Sequence, residues 1–295
     1  MSALPNEIFG YRVIARLGEG AASQLYAVQD AKTKQVWALK HVVRRVPKDD
    51  RFVEQVEIEH EVGSKLDHPN VRGIGKLHRN KKIFGATTEI GLCLELVDAD
   101  TMDRRIPRSM ADAVRQFAEI GRGLAHMHEH GYAHADMKPI NAMVCDGGAI
   151  KIIDLGQACK LGTQKKRIQG TPGYIAPEQA SRDPITAATD IYNLGATMYW
   201  VLMREVMPTV LPPQGEAELS TMSSRAVRPP EPPHRGNPAI PAALGELVID
   251  CVQVTPEDRV PSMSEVVRRL EEIGETLDGG RVASAGPRVA ERFGK

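Results

Sequence analysis

The sequence predicts an α+β fold in two unequal parts, a small, mostly β unit with one helix and a larger, mainly helical unit. Three observations carry this. Strand-like apolar runs separated by turns fill the first hundred residues, a single amphipathic helical stretch interrupts them, and from Ala111 onward apolar residues recur at helix spacing.

Strands are expected at Tyr11 to Leu17, Gln24 to Gln29 and Gln35 to Val43, and, beyond the helical stretch, at Ile90 to Val97. Within that stretch Ile58, Val62 and Leu66 fall one turn apart, while Glu54, Glu57, Glu59 and Glu61 supply polar faces; His68-Pro69-Asn70 ends it. In the second part Ala113, Phe117, Ile120, Leu124 and Met127 mark one helix, and Ile185 to Leu202 and Leu244 to Val254 mark others. Leu211 to Pro241 is rich in Pro, Ser, Arg and Glu without periodicity and reads as a long surface loop. Residues 277–295, rich in Gly, Ala, Arg and Ser, have little to bury and are expected to form a disordered tail. No internal repeat is visible.

With 42% apolar and 26% charged residues, a chain of 295 residues has enough apolar side chains for a sizeable core. Thirty-eight basic residues balance thirty-eight acidic ones, so charge gives no support to a nucleic-acid or membrane-surface partner. Cys93, Cys145, Cys159 and Cys251 form no CxxC pair, which argues against a disulfide framework or zinc site and for reduced thiols in a cytoplasmic protein. The start, MSALPNEIFG, lacks a basic segment followed by an apolar run, and no apolar stretch reaches the ~18 residues of a membrane helix.

Gly18 and Gly20 sit in a turn between strands, where a missing Cβ lets backbone amides approach phosphate oxygens; a hairpin turn with no ligand has the same appearance. Trp37-Ala38-Leu39-Lys40 puts a lysine on the same strand face as Ala38, and Glu59 on the following helix is a partner able to hold its ammonium. The most informative segment is Tyr132-Ala133-His134-Ala135-Asp136-Met137-Lys138-Pro139-Ile140-Asn141, followed by Ile150-Lys151-Ile152-Ile153-Asp154-Leu155-Gly156. Together these supply what phosphoryl transfer needs: a group to orient and deprotonate a hydroxyl, a cation for the phosphate, and oxygen ligands for magnesium. Gly170-Thr171-Pro172-Gly173-Tyr174-Ile175-Ala176-Pro177-Glu178, Asp190-Ile191-Tyr192-Asn193-Leu194-Gly195 and Arg259 follow in order.

In these motifs the chain resembles a bacterial eukaryotic-like (Hanks-type) serine/threonine protein kinase, from about residue 8 to 275. The resemblance implies a bilobal kinase fold, with residues 1–97 as an N-lobe and 98–276 as a C-lobe, using ATP with Mg²⁺ or Mn²⁺ on protein substrates. Leu17, Gly18, Gly20 and Ser23 then belong to the glycine-rich loop, Leu25 and Ala38 lie above the adenine and Met143 below it, Leu94 is the gatekeeper, and the backbone of Glu95 to Val97 receives the base. Lys40 contacts phosphates and pairs with Glu59. Asp136 is the catalytic base, Lys138 the γ-phosphate contact, and Asn141 and Asp154 the metal ligands. Glu178 and Arg259 tie the activation segment to the C-terminal helices, Asp190 anchors the loop around Asp136, and His134 is structural. Lys138 with Thr171 implies Ser/Thr acceptors. A nucleotide-binding scaffold without transfer and a small-molecule phosphotransferase are the alternatives; Ala176-Pro177-Glu178 and Arg259 count against the latter.

Several positions depart from the family pattern. Ser23 replaces the third glycine, Ala21-Ala22 leaves the loop tip without an aromatic, and Leu155 replaces Phe after Asp154. Gly63 stands where a bulky residue is usual, so its helix is expected to be the softest element of the site unless Val62 fills the gap. Ile140 replaces a glutamate that some basophilic kinases carry. Ala135 has no charge to clamp a phosphorylated loop, in which Thr163 is the only hydroxyl residue between Gly156 and Thr171, near Lys165, Lys166 and Arg167. His126, His128 and His130 read as a helix terminus suited to imidazolium rather than as a metal cluster. Cys159 reads as an ordinary small side chain beside Lys160.

Overall fold

The computed structural model describes residues 4–20, 22–81, 87–207 and 230–284. Six antiparallel strands form the first sheet, in the order β1-β2-β3-β4-β6-β5. They are β1 (Glu7–Ile8), β2 (Tyr11–Glu19), β3 (Ser23–Asp30), β4 (Val36–Val43), β5 (Ile74–Lys81) and β6 (Thr87–Glu95), with α1 (Asp50–Gly63) between β4 and β5. The alternation of β4 decides its packing. Leu39 joins Tyr26, Val28 and Cys93 on one face, and Ala38 and Val42 join Val53 and Val56 of α1 on the other. Lys40 is thereby turned toward α1, with β4 fixed against β6 by the pairs Ala38 with Leu94 and Lys40 with Leu92.

The strand at β5 has no counterpart in the sequence reading. Gly73 and Gly75 interrupt the pattern, and most of IGKLHRNK is polar because the strand is a sheet edge.

In the second unit, α2 (Met110–Glu129), α4 (Ala187–Met203), α6 (Ala242–Cys251) and α7 (Met263–Ser284) build the large core, with short helices α3 (Pro177–Ser181) and α5 (Pro233–Gly236) at its margin. Ser109 caps α2 by accepting from Asp112 N at 3.1 Å. Strands β7 (Ala99–Thr101), β9 (Ala142–Cys145) and β10 (Ile150–Ile152) form one small sheet; β8 (Tyr132–Ala133) and β11 (Cys159–Lys160) form another.

Two boundaries are corrected. Residues 277–284, expected in a disordered tail, continue α7, because Leu270, Ile273 and Leu277 extend an apolar stripe onto the core; 285–295 lie outside the described residues. Of the long loop expected from Leu211 to Pro241, residues 211–229 lie outside the described residues, and the rest contains the helical turn α5.

The segment after α1 is stitched to the second unit. Val71 bridges Ile152 in parallel, Ile152 N donates to Asn70 O at 2.7 Å, and Arg72 N donates to Ile152 O at 3.0 Å. Asn70 Nδ2 adds a bond to Ile150 O at 2.9 Å.

Candidate active site

Three elements bring one cation between two carboxylates. Lys40 Nζ on β4 lies 2.7 Å from Glu59 Oε2 on α1 and 3.0 Å from Asp154 Oδ1 just beyond β10. Glu59 is 2% exposed, so its charge depends on that ammonium. Burial works against the charge on Lys40, but Glu59 and Asp154 outweigh it and hold its pKa above the usual lysine value. Lys40 in turn holds the Asp154 carboxyl below the usual range against its desolvation. Asp154 has φ of 62°, a left-handed conformation that aspartate tolerates and that turns its carboxylate toward Lys40.

Gly63 permits this arrangement. A Cβ there would lie 2.2 Å from Ile74 Cγ1 and 3.2 Å from Leu155 Cδ1. The space expected to be a soft spot is therefore filled from β5, and α1 is seated by Ile74 rather than loosened. Sequence reading missed Ile74 because it missed the strand that carries it.

The second cluster is the loop from His134 to Asn141. Lys138 Nζ donates to Asp136 Oδ2 at 2.7 Å and to Thr171 Oγ1 at 2.6 Å, and the Thr171 hydroxyl donates to Asp136 Oδ1 at 3.0 Å. Asn141 Nδ2 donates to the Asp136 carbonyl at 2.8 Å, leaving its Oδ1 as an acceptor. With the Asp154 carboxylate this gives two hard oxygen donors, a set suited to Mg²⁺ or Mn²⁺.

Asp190 on α4 holds the loop from behind. Its carboxylate is fully buried and accepts from His134 N, Ala135 N and His128 Nε2, each at 2.8 Å. Desolvation opposes its charge, but these donors hold its pKa below the ordinary value. The bond to Ala135 N stabilises an alanine at φ of 61°, which is unfavourable for a residue with a Cβ. His134 sits underneath, its Nδ1 accepting from Asp136 N at 3.2 Å and its Nε2 facing Ile153 O at 3.2 Å. His128 thus has a structural partner, while His68 stacks on His126 with ring centroids 5.0 Å apart and His130 lies tilted against His126 at 4.2 Å.

Glu178 and Arg259 pair through both oxygens, each contact 2.8 Å, with Thr189 Oγ1 also on Glu178 at 2.9 Å. Gln179, which sequence reading passed over, does more. Its Nε2 reaches Ala135 O at 2.8 Å and Gln169 O at 3.3 Å, while its Oε1 accepts from Ala176 N at 2.9 Å and Asn193 Nδ2 at 3.0 Å.

Thr163 lies apart from both clusters, in backbone pairing with Ile185, on a cleft of about 600 Å³ that also touches Glu54, Glu61, Lys166 and Arg167. Lys165 Nζ donates to Gln157 O at 2.9 Å. The Cys159 thiol is pushed up by burial, and the cation that opposes this is Lys165, not Lys160.

Around the expected base site, Ala38 and Leu94 are buried, Leu25 and Met143 half-buried, and Leu17 exposed. A Cβ on Gly18 would meet nothing within 4 Å, whereas one on Gly20 would lie 2.7 Å from Ser23 Oγ; Ala21 lies outside the described residues. At Glu95 the N–H donates to Gly73 O at 2.9 Å and the carbonyl accepts from Arg72 Nε at 2.8 Å. Its side chain also pairs with Lys151 at 2.8 Å. Arg72 was not singled out in the sequence. The signal was an arginine directly after His68-Pro69-Asn70-Val71, where the run into β5 otherwise has small or apolar residues.

Comparison with known proteins places these clusters in context. Residues 11–269 match the protein kinase domain family. The DNA damage-responsive serine/threonine-protein kinase RqkA of Deinococcus radiodurans is 30% identical over 259 residues, covering 81% of this chain and 36% of that protein. The serine/threonine-protein kinase PknB of Mycobacterium tuberculosis is 26% identical over 287 residues, covering 93% of this chain and 45% of that one. A probable serine/threonine-protein kinase of Clostridium acetobutylicum is 24% identical over 272 residues, 89% of this chain and 40% of the relative. The chain thus spans less than half the length of these curated relatives. In fold it resembles the Mycobacterium tuberculosis PknI kinase domain, with a TM-score of 0.69 at 22% identity over 92% of this chain and 99% of that one.

Proposed function

The chain belongs to the protein kinase family, and on that footing we propose that it transfers the γ-phosphoryl group of ATP to Ser and Thr hydroxyls of protein substrates. The observation that carries this is the closed contact of Asp136, Lys138 and Thr171, with Asn141 bonded to the Asp136 backbone. Asp136 is the group that orients an acceptor hydroxyl and takes its proton; Lys138, held beside it, supplies positive charge where the transferred group passes. Lys40, fixed by Glu59, holds phosphate oxygens, and Asn141 and Asp154 are the ligands for Mg²⁺ or Mn²⁺. When bound, the metal neutralises charge on the phosphates. The lysine and threonine together at Asp136 favour Ser/Thr acceptors, and Ile140, half exposed beside the loop, offers no carboxylate to a basic peptide.

The lobes we assign are residues 1–97 and, with the whole of α7, 98–284, with the base between Ala38, Leu94 and Met143 and against the linker Glu95 to Val97. We place the reaction in the cytoplasm, where ATP is available; the four cysteines are free, and among the described residues no helix is long and apolar enough to cross a membrane. Phosphate transfer from ATP to a protein extract, with acceptors mapped by mass spectrometry, tests the function. Transfer that persists at the parent rate in Asp136→Asn would sink it.

A further inference from the structure

Arg72 is 8% exposed, a buried cation at the junction of the two units. Its backbone N–H is committed to Ile152 O at 3.0 Å, so the side chain leaves from a fixed point. Its Nε donates to the carbonyl oxygen of Glu95 at 2.8 Å, which sets the guanidinium against the linker on which the base is placed. The Glu95 N–H is meanwhile given to Gly73 O at 2.9 Å. Among the described residues the two terminal NH₂ groups of Arg72 make no hydrogen bond or ion pair. Burial draws its pKa down while Glu59, Glu95 and Asp154 draw it up, and a guanidinium stays charged under such a balance. A buried arginine with free N–H donors at a ligand edge is a group with something to recognise.

The donor and acceptor pattern says what. A carbonyl oxygen has two lone pairs, so Glu95 O keeps one after Arg72 has taken the other. Beside that acceptor stand the Arg72 N–H donors. An acceptor next to a donor matches the lactam edge of a 6-oxo purine, whose N1–H donates and whose O6 accepts; guanine O6 is an acceptor that guanidinium groups also use, with N7, in reading DNA. Adenine presents the reverse edge, a 6-amino donor beside the N1 acceptor. It still matches Glu95 O together with the N–H of Val97, but its amino group then faces the Arg72 donors.

We propose that Arg72 is a base-specificity residue that gives the nucleotide site a second, lactam-reading edge, so that GTP serves as phosphoryl donor alongside ATP. This rests on the placement of the base against Glu95 to Val97.

The test is equilibrium binding and initial transfer rates with Mg-ATP, Mg-GTP and Mg-ITP for the parent, Arg72→Met and Arg72→Leu; ITP has the lactam edge without the 2-amino group of guanine. Expected is a parent that takes GTP and ITP within about tenfold of ATP. Both variants should lose roughly tenfold or more for GTP and ITP relative to ATP, a discrimination typical of one such contact. A parent that prefers ATP to GTP by about a thousandfold would overturn the proposal whether or not the variants fold. So would variants whose ATP-to-GTP ratio is unchanged, which would make Arg72 a packing residue, or a parent that takes GTP but not ITP. Binding of ATP alone overturns only the role of Arg72; binding of none of the three overturns the kinase reading with it.

Discussion

Gln179 Nε2 donates to the backbone carbonyl of Ala135 at 2.8 Å, and this bond joins the loop of Asp136 to the segment that ends in α3. A kinase with arginine at the Ala135 position makes that junction through a phosphate. Here a neutral amide makes it without a charge, with the same side chain reaching Gln169, Ala176 and Asn193.

Activity should therefore respond to Gln179 and not to Thr163. Gln179→Leu leaves the buried Ala135 carbonyl and Ala176 N–H without partners, at about 1–3 kcal/mol each, and should lower the transfer rate at least about tenfold. Thr163→Ala should stay within about threefold of the parent, as should phosphatase-treated parent, because the junction needs no charge. Initial rates of all four on one generic acceptor decide this. A large loss on dephosphorylation, reproduced by Thr163→Ala, would show Lys166 or Arg167 holding a phosphate in the adjoining cleft.

Gly63→Ala should destabilise the protein in spite of alanine's advantage of about 1 kcal/mol in a helix. The new Cβ meets Ile74 Cγ1 at 2.2 Å, an overlap that typically costs about 1–3 kcal/mol. Pairing it with Ile74→Ala should return most of the loss, giving a coupling that denaturant midpoints of the two singles and the double can measure. If Gly63→Ala alone proves stabilising, α1 is not seated on β5 as described.

Those two residues also mark where the sequence was legible and where it was not. Lys40, Glu59, Asp136, Lys138, Asn141, Asp154, Glu178, Asp190 and Arg259 could be picked out because they stand in motifs whose order and spacing resemble those of the protein kinase family. The seating of Gly63 could not, because the atom that fills it comes from an edge strand whose polar run carries no alternation. Gln179 and Arg72 were hidden for a related reason: both act on backbone carbonyls, of Ala135 and Glu95, and a partner common to every residue leaves no mark on spacing.

Lys40→Met should abolish transfer and also weaken the fold. Glu59, 2% exposed, would lose the ammonium it is bonded to, at about 3 kcal/mol. Lys40→Met with Glu59→Gln should recover much of the stability and none of the activity. Thermal denaturation beside a transfer assay separates the two effects; recovery of activity in the double variant would remove Lys40 from the reaction.

Acid should act through Asp190. Its folded pKa lies below the ordinary carboxylate value, so its contribution is present above that value, about pH 4, and is lost as pH falls through the folded pKa. Asp190→Asn should be less stable at pH 7 by about 2–4 kcal/mol, since it keeps one acceptor oxygen for three donors. The gap should narrow below pH 4 as the parent's carboxylate takes up its proton. Urea unfolding from pH 3 to 7 measures both; a gap constant with pH would mean that Asp190 does not titrate with unfolding.

The stitch between Asn70, Arg72 and Ile152 limits how the two units can move. A body joined to another by one linker can swing and twist, whereas one joined at two separated points keeps a single rotation about the line between them. The linker at Glu95 and the bridge at Val71 are two such points, and Lys151, next to Ile152, is paired with Glu95 at 2.8 Å. Opening of the cleft then resembles a door on two pins, and the amides of Arg72 and Ile152, lying along the line between them, exchange with solvent only when the units come apart.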